Sequence, residues 1–436
     1  MTKILDHQDT FANIVEDIPK DWILTKNKYA FLKISNGKNV NEEADILSLT
    51  TNGIKVKENL AFGKTASSYK EHQLVKKGDI VFTPRDFDQT PILSDVSKFD
   101  GCISNLYIVD RVIKDFQPEF INYYWYGIKY LLDYFKNFSH GMRYSFNRYQ
   151  FDEIPLLKPT FDEQNLIVNY LNDMEINIKK LIDLIEEKIK LTNELYVASI
   201  NKYIYQGLNP EAEFKHTDNK LLGKIPKHWK ISKLSNLGKF SKGKSITNND
   251  LIDRGKPVIL YSHIYTTYDR LCIEPKYFIS NNKSKESTKI DKNTFLFTTS
   301  GETVDEIGKS ILYSGENNIN VGGDIALFKF DDENICDQNY FSFLFNSEIC
   351  QMQKSLSSRG DIVVHIYEKQ LRELVVPIPP LNEQKEIYEK LYLIEKNTKK
   401  LLKKYNQKIK ILEELRKSTI AHVVTGKLRL FSDINE

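Results

Sequence analysis

The chain has 436 residues, of which 28% are charged and 41% hydrophobic, with a formal net charge of +3. That length supports two to four domains with ample core, and that balance is ordinary for a soluble globular protein. It excludes a uniformly basic coat while permitting a local basic face, and without a run of about 18 apolar residues it excludes a membrane span.

The first 18 residues are polar and carry Asp6, Asp9, Glu16 and Asp17; lacking an apolar core, they do not read as a signal peptide. Ile18-Pro19-Lys20-Asp21-Trp22 then opens a short-period, strand-like region that extends to about residue 112. Ile80-Val81-Phe82-Thr83 and Leu106-Tyr107-Ile108-Val109 are compact β-rich runs behind Gly-Asp and Ser-Asn turns. Residues 118–138 predict a helix, with Pro118 near its start and five tyrosines from Tyr123 to Tyr134. The basic and aromatic turn Ser139 to Tyr144 follows. Phe151 to Pro159 predicts an extended connector, because its two prolines stop any helix. Asp162-Glu163-Gln164 begins a stretch free of Gly and Pro that runs to Gln206.

The same order then recurs. Ile225-Pro226-Lys227-His228-Trp229 matches the first Trp marker at an offset of 207 residues. Thr294 to Thr298 and Ile325 to Phe328 stand where the two strand runs stood, Gln338 to Gln353 predicts the matching helix, and Ser357-Ser358-Arg359-Gly360 the matching turn. Leu374 to Pro380 is the second connector, and Asn382-Glu383-Gln384 opens a second stretch free of Gly and Pro, to Thr425, at an offset of 220. The two offsets place about 13 extra residues in the second copy. A period this long marks a domain duplication, not a solenoid. Each copy is expected to be a mixed, β-rich α/β globule followed by one long helix, giving divisions at residues 1–154, 155–210, 211–373 and 374–436.

Both long stretches carry apolar residues at steps of three and four, as a coiled-coil seam does. Leu171, Ile178, Leu181 and Ile185 in the first, and Leu391, Leu401, Tyr405 and Leu412 in the second, are the expected seam. About 45 residues span roughly 65 to 70 Å, and one such helix cannot bury its stripe alone. Two copies in one chain suit antiparallel pairing about a pseudo-twofold internal repeat; the alternative is two helices, each packed on its own globule.

The four cysteines, Cys102, Cys272, Cys336 and Cys350, form no C-x-x-C pair and lie at no metal-ligand spacing to histidine, so neither a disulfide framework nor a metal site is expected and the compartment reads as cytoplasmic. Gly238 to Ser245 fits G-x-x-x-x-G-K-[ST], but a phosphate-binding loop needs a buried strand before it and a helix after it. Here Ile231 to Asn236 is polar and interrupted, and Thr247 to Asp250 is turn-like. The matching segment of the first copy has Leu32 for the first Gly and Asn39 for the Ser. No dinucleotide, zinc-protease, serine-hydrolase, amino-methyltransferase or nuclease pattern occurs either. The chain reads as a binder rather than a catalyst.

The turns are the candidate readers. Arg pairs with guanine, Asn with adenine and Glu with cytosine, while Lys and Ser hold phosphates. On residue type the candidates are Lys38, Arg85, Arg143, Tyr144, Asn147 and Arg148 in the first copy, and Lys242, Lys244, Ser300, Glu302 and Arg359 in the second. For each of these the other reading is a solvated loop residue.

The Trp markers, the connector and helix start Pro377-Ile378-Pro379-Pro380-Leu381-Asn382-Glu383-Gln384, and the terminal Val424-Thr425-Gly426-Lys427-Leu428 resemble the specificity subunits of type I restriction-modification enzymes. The first copy is a worn version, keeping Glu163-Gln164 and Gly207-Leu208. The resemblance implies two target recognition domains that each read half of a bipartite double-stranded DNA sequence, with paired helices setting the spacer. It implies two modification subunits that use S-adenosylmethionine to methylate adenine, and restriction subunits that use ATP and Mg. The chain itself would hold no cofactor and lie in a prokaryotic cytoplasm. A rival reading is a coiled-coil scaffold joining two protein-binding domains without touching DNA.

Overall fold

The computed structural model describes residues 18–430 apart from 35, 41–42, 58–67, 86–89, 91–92, 133, 136–144, 245 and 361–363. Among the described residues the helices, in chain order, are α1 (Pro118–Leu132), α2 (Arg148–Asp152), α3 (Phe161–Gln206), α4 (Tyr261–Thr266), α5 (Asn281–Glu286), α6 (Gln338–Leu344), α7 (Glu348–Ser357), α8 (Glu368–Arg372) and α9 (Leu381–Val424). The chain forms two compact units: unit 1 holds residues 1–186 with 406–436, and unit 2 holds residues 187–405. Each unit thus gathers one globule with part of α3 and part of α9.

In unit 1, the strands Phe31–Leu32, Ile108–Val112, Ile80–Phe82 and Ser94–Val96 form one antiparallel sheet. All three residues of the Ile80–Phe82 strand are buried because the sheet is covered on both faces. Successive side chains point to opposite faces. Ile80 and Phe82 therefore join the core of α1, where Phe82 packs edge-on to Trp125, while Val81 packs with Leu47, Ile54 and Ile103. Unit 2 uses the same device on a larger scale. Thr294–Thr298 lies inside a five-stranded sheet; Phe295 and Phe297 meet Phe345 beside α6, and Leu296 meets Ile311 and Leu327 in a separate core. A second five-stranded sheet holds Leu251–Ile252, Tyr277–Ile279, Lys256–Ile259, Ile319–Val321 and Thr288–Ile290.

Two expected elements shift. Leu106 is exposed in a turn, and its strand is Ile108–Val112. The first helix is described over Pro118–Leu132, and residues 133 and 136–138 of the expected span lie outside the described residues. Residues 338–353 form two helices, α6 and α7, because Asn346 and Ser347 turn their side chains onto the carbonyls of Ser342 and Leu344 and end α6 there.

The connectors pair in matching ways: Ile23–Lys26 runs antiparallel to Pro155–Lys158, and Lys230–Lys233 to Val375–Ile378. The repeated Glu-Gln at the head of each long helix has the same task in both units. The Trp22 indole donates to Glu163 at 2.9 Å, and the Trp229 indole to Glu383 at 3.0 Å. Gln164 accepts from the Gln117 amide and donates to the carbonyls of Asp115 and Pro159; Gln384 accepts from Asp337 and donates to Ile335 and Pro379. The far ends match too. Gly207 (φ 75°) and Gly426 (φ 74°) stop the helices in the left-handed region; a side chain at Gly207 would press on Glu383 and Trp229, and one at Gly426 would collide with Pro19 beside Trp22.

Within each unit the two helix segments run in opposite directions. In unit 1, Ile167, Val168 and Leu171 share a core with Val424, Val423 and Ile420; in unit 2, Ile200 and Ile204 share one with Leu391 and Ile387. Leu171, Ile178 and Leu391 are buried, and Ile185, Tyr405 and Leu412 half-buried. Two expected seam residues are corrected: Leu181 is 47% exposed and Leu401 38%. The positions beside them, Ile182 and Leu402, are half-buried.

Candidate nucleic-acid interface

In unit 1, the loop leaving the central strand is bridged by Arg85 to Ser145, and the Phe146 amide donates to the Pro84 carbonyl. Unit 2 repeats the join: Ser300–Gly301 pairs with Val364–His365, and the Ile366 amide donates to Thr299. The loop after the central strand and the segment before the connector thus form one ledge in each globule. Arg85 and Arg359 are both exposed on these ledges. Arg143 and Tyr144 lie outside the described residues.

Two expected DNA residues instead have structural tasks. Asn147 caps α2, accepting from the Gln150 amide while Gln150 returns a bond to the Asn147 amide. Such a cap is worth about 1 kcal/mol. Arg148 bonds Asp152 at 2.9 Å and Asp110 at 2.7 Å. Asp110 is only 1% exposed; burial raises its carboxyl pKa and the Arg148 guanidinium opposes that rise. Lys38 is exposed and paired with Glu71.

In unit 2, the Ser300 hydroxyl meets His365 Nδ1 at 3.1 Å, while the Tyr265 hydroxyl contacts Thr298 at 2.7 Å and the Ser300 carbonyl at 3.1 Å. The loop is therefore clamped from two sides. Its tip exposes Glu302, Asp305 and Glu306, three carboxylates that would repel a phosphate backbone. Lys242 and Lys244 are exposed and, among the described residues, have no carboxylate within ion-pair distance. Gly238 to Lys242 is itself an edge strand, with a single 3-10 turn at Asn248–Asp250 after it, so the P-loop-like spacing has no helix start to aim at a phosphate. A cleft of about 550 Å³ opens beside it, lined by Lys244, Thr247, Asn248, Tyr261, Ser262 and Asp324 among others. Asn248, Tyr261, Ser262 and Asp324 carry no signal in the sequence, because a 3-10 turn, a short helix and the distant turn at Asp324 meet only in the folded unit.

Each helix pair also holds a carboxylate. Glu175 is bonded across the pair by Arg416 at 2.7 Å in unit 1. In unit 2, Arg270 reaches from the globule to Glu395 at 2.8 Å, its guanidinium 3.8 Å above the Phe343 ring. Burial would raise the pKa of Glu395, but Arg270 and Lys399 outweigh it and the net shift is downward. Among the described residues no group of three or more His, Cys, Asp or Glu could hold a metal ion, and no helix is long and apolar enough to cross a membrane.

Residues 226–411 match the family described as Type I restriction modification DNA specificity domain. Among curated relatives, the chain is 23% identical over 290 residues to the Methanocaldococcus jannaschii type I restriction enzyme MjaVIII specificity subunit, covering 64% of this chain and 63% of that one. It is 23% identical over 447 residues to the putative MjaX specificity subunit of the same organism, covering 95% and 96%. A match to the Escherichia coli EcoKI specificity subunit is 25% identical and covers 47% and 44%. The fold is shared with a chain from a study of complex assembly and conformational transition of the type I R-M system, at a TM-score of 0.72 with 13% identity, covering 95% of this chain and all of that one. It is also shared with the HsdS subunit from Thermoanaerobacter tengcongensis, at 0.54 with 14% identity, covering 95% and 99%.

Proposed function

We infer from these likenesses that the chain belongs to the specificity subunits of type I restriction-modification enzymes. It is the DNA-recognition subunit of such a system and not its catalyst. On this reading, residues 1–154 and 211–373 are target recognition domains and residues 155–210 and 374–436 their connectors and helices. Each globule reads one half of a bipartite duplex target, and α3 and α9 form an antiparallel coiled coil that sets the spacer. The observation that carries the reading is the matching anchoring of two dissimilar globules: Trp to Glu at the helix head in both units, and a left-handed Gly at the helix end, beside Trp229 in one and beside Pro19 and Trp22 in the other. A ruler needs constant ends, whereas readers need to differ.

The helices also suggest where partners dock. Leu181, Leu184, Leu191 and Leu195 on α3, and Leu401, Ile411 and Leu415 on α9, are exposed large apolar side chains separated by three, four, seven or ten residues, apart from the more buried stripe. Two modification subunits, one per unit, are the proposed occupants, and restriction subunits join through them. S-adenosylmethionine, ATP and Mg belong to those partners, and the assembly is cytoplasmic. The test combines fluorescence anisotropy on duplex DNA, with and without the modification subunit, and sequencing of the methylated bases. A gapped, two-part adenine motif is expected. Absence of any sequence preference in the assembled complex would leave the scaffold reading standing.

A further inference from the structure

The strand Gly238–Lys242 leads into no helix start, yet Lys242 and Lys244, without a carboxylate partner among the described residues, stand beside a polar cleft. Glycines draw the cleft together. A side chain at Gly243 would collide with the Gly322 carbonyl oxygen, and one at Gly322 with Leu260 and the Ile246 carbonyl. Gly243, Lys244 and residues 246–248 are thereby pressed against the turn at 322–324 and the start of α4. The Asp324 amide-bearing turn is fixed in its place: its φ is 57°, and its carbonyl accepts from the Thr299 amide. On the outer side, the Lys242 carbonyl accepts from Thr288, which brings the exposed Lys289 to the same edge. Among the described residues Lys242, Lys244 and Lys289 all lack a carboxylate partner, in contrast to Lys239 and Lys283, which pair with Asp331 and Asp250.

The cleft's own polar groups differ from this lysine rim. Asn248 is exposed, with its carbonyl oxygen 3.4 Å from the Ser262 hydroxyl and, among the described residues, no acceptor for its amide hydrogens. Asp324 exposes a carboxylate and Tyr261 an aromatic face. A phosphate pocket would not include Asp324. A groove-edge reader would, because a carboxylate accepts from the cytosine amino group, an amide pairs with adenine, and a hydroxyl serves either. Phosphate contacts position such a reader without carrying sequence information.

Resting on the DNA-recognition reading above, we propose that this cleft is the base-reading site of unit 2, with Asn248, Ser262 and Asp324 as its specificity determinants and Lys242, Lys244 and Lys289 holding the flanking phosphates. The acidic tip at Glu302 is then a neighbour of the reading site, not its centre.

The test uses the full chain assembled with its modification subunit. N248A and D324N, made separately and together, are compared with wild type for the methylated motif and for binding to cognate and single-substituted duplexes. Both side chains are exposed, and thermal melting with wild-type midpoints identifies variants fit for comparison; S262A supplies a third should either fail. Preference for the cognate half-site should fall roughly ten- to a hundredfold, in one half of the motif only. Replacing Lys242, Lys244 and Lys289 together by alanine should weaken binding to every duplex and lower the salt slope by roughly two to three, with the motif unchanged. Wild-type preference at every base pair in the cleft variants overturns the proposal. A wild-type complex without sequence preference would instead remove the reading on which it rests.

Discussion

The same seam position holds its carboxylate differently in the two units. In unit 1, Glu175 takes its arginine from across the helix pair, Arg416, and the globule contributes the Tyr123 hydroxyl, which donates to Asn172. In unit 2, Tyr196 stands where Arg416 stood, and Glu395 takes Arg270 from the globule itself. Lys399 adds a second tie to the globule, at Asp269. The repeated anchors at the helix ends are therefore a common frame, and what varies is how each globule is fastened along the helix side. Unit 2 is fastened by buried charge, whereas unit 1 leaves its ion pair within the helices.

That contrast ranks the expected losses. Arg270→Ala should cost most, about 3–5 kcal/mol, because Glu395 is left 8% exposed without its guanidinium. Denaturant unfolding of the full chain measures it. The effect is pH-dependent: since the folded pKa of Glu395 is lowered, its contribution is full above the unfolded carboxylate value and is lost as pH falls through the folded one. The wild-type advantage over Arg270→Ala should thus shrink in acid; an advantage that grows there would contradict the assignment.

Arg148→Ala comes next, at about 2–3 kcal/mol, because the buried Asp110 loses its partner while Arg148 is itself partly solvated. Wild-type melting with weakened DNA binding would return Arg148 to the DNA face. Trp22→Phe and Trp229→Phe each delete one hydrogen bond to a carboxylate and should cost about 1.5–3 kcal/mol apiece. Equal losses support the common frame, and a loss at only one site would break it. Arg416→Ala should cost least, about 1 kcal/mol or below, since its side chain is 42% exposed. A loss matching that of Arg270→Ala would erase the distinction between the units.

The parts legible in the sequence are those where a local rule and the tertiary structure agree. Absence of Gly and Pro placed the ends of α3 and α9 within a residue or two, and Glu163-Gln164 and Glu383-Gln384 marked the anchors before their partners were visible. The seam is ambiguous in the sequence at Leu181 and Leu401 because each is followed by another apolar residue, Ile182 and Leu402, so each helix carries two stripes. Spacing alone cannot choose between them; packing does. At Asn147 the sequence carries both a capping signature, Asn-x-x-Gln, and a polar type that suits a base, and the fold uses the first. Arg148 with Asp110, and Asn248 with Ser262, depend on pairings that only the folded sheets create.

The most direct test of a two-reader ruler is to remove one heptad from each long helix at matched positions and sequence the methylated motif. Seven residues shorten the pair by roughly 10 Å, or about three base pairs at 3.4 Å each. The account predicts the same two half-sites with a shorter gap, or loss of recognition with both globules folded. The wild-type motif with its gap unchanged would contradict it.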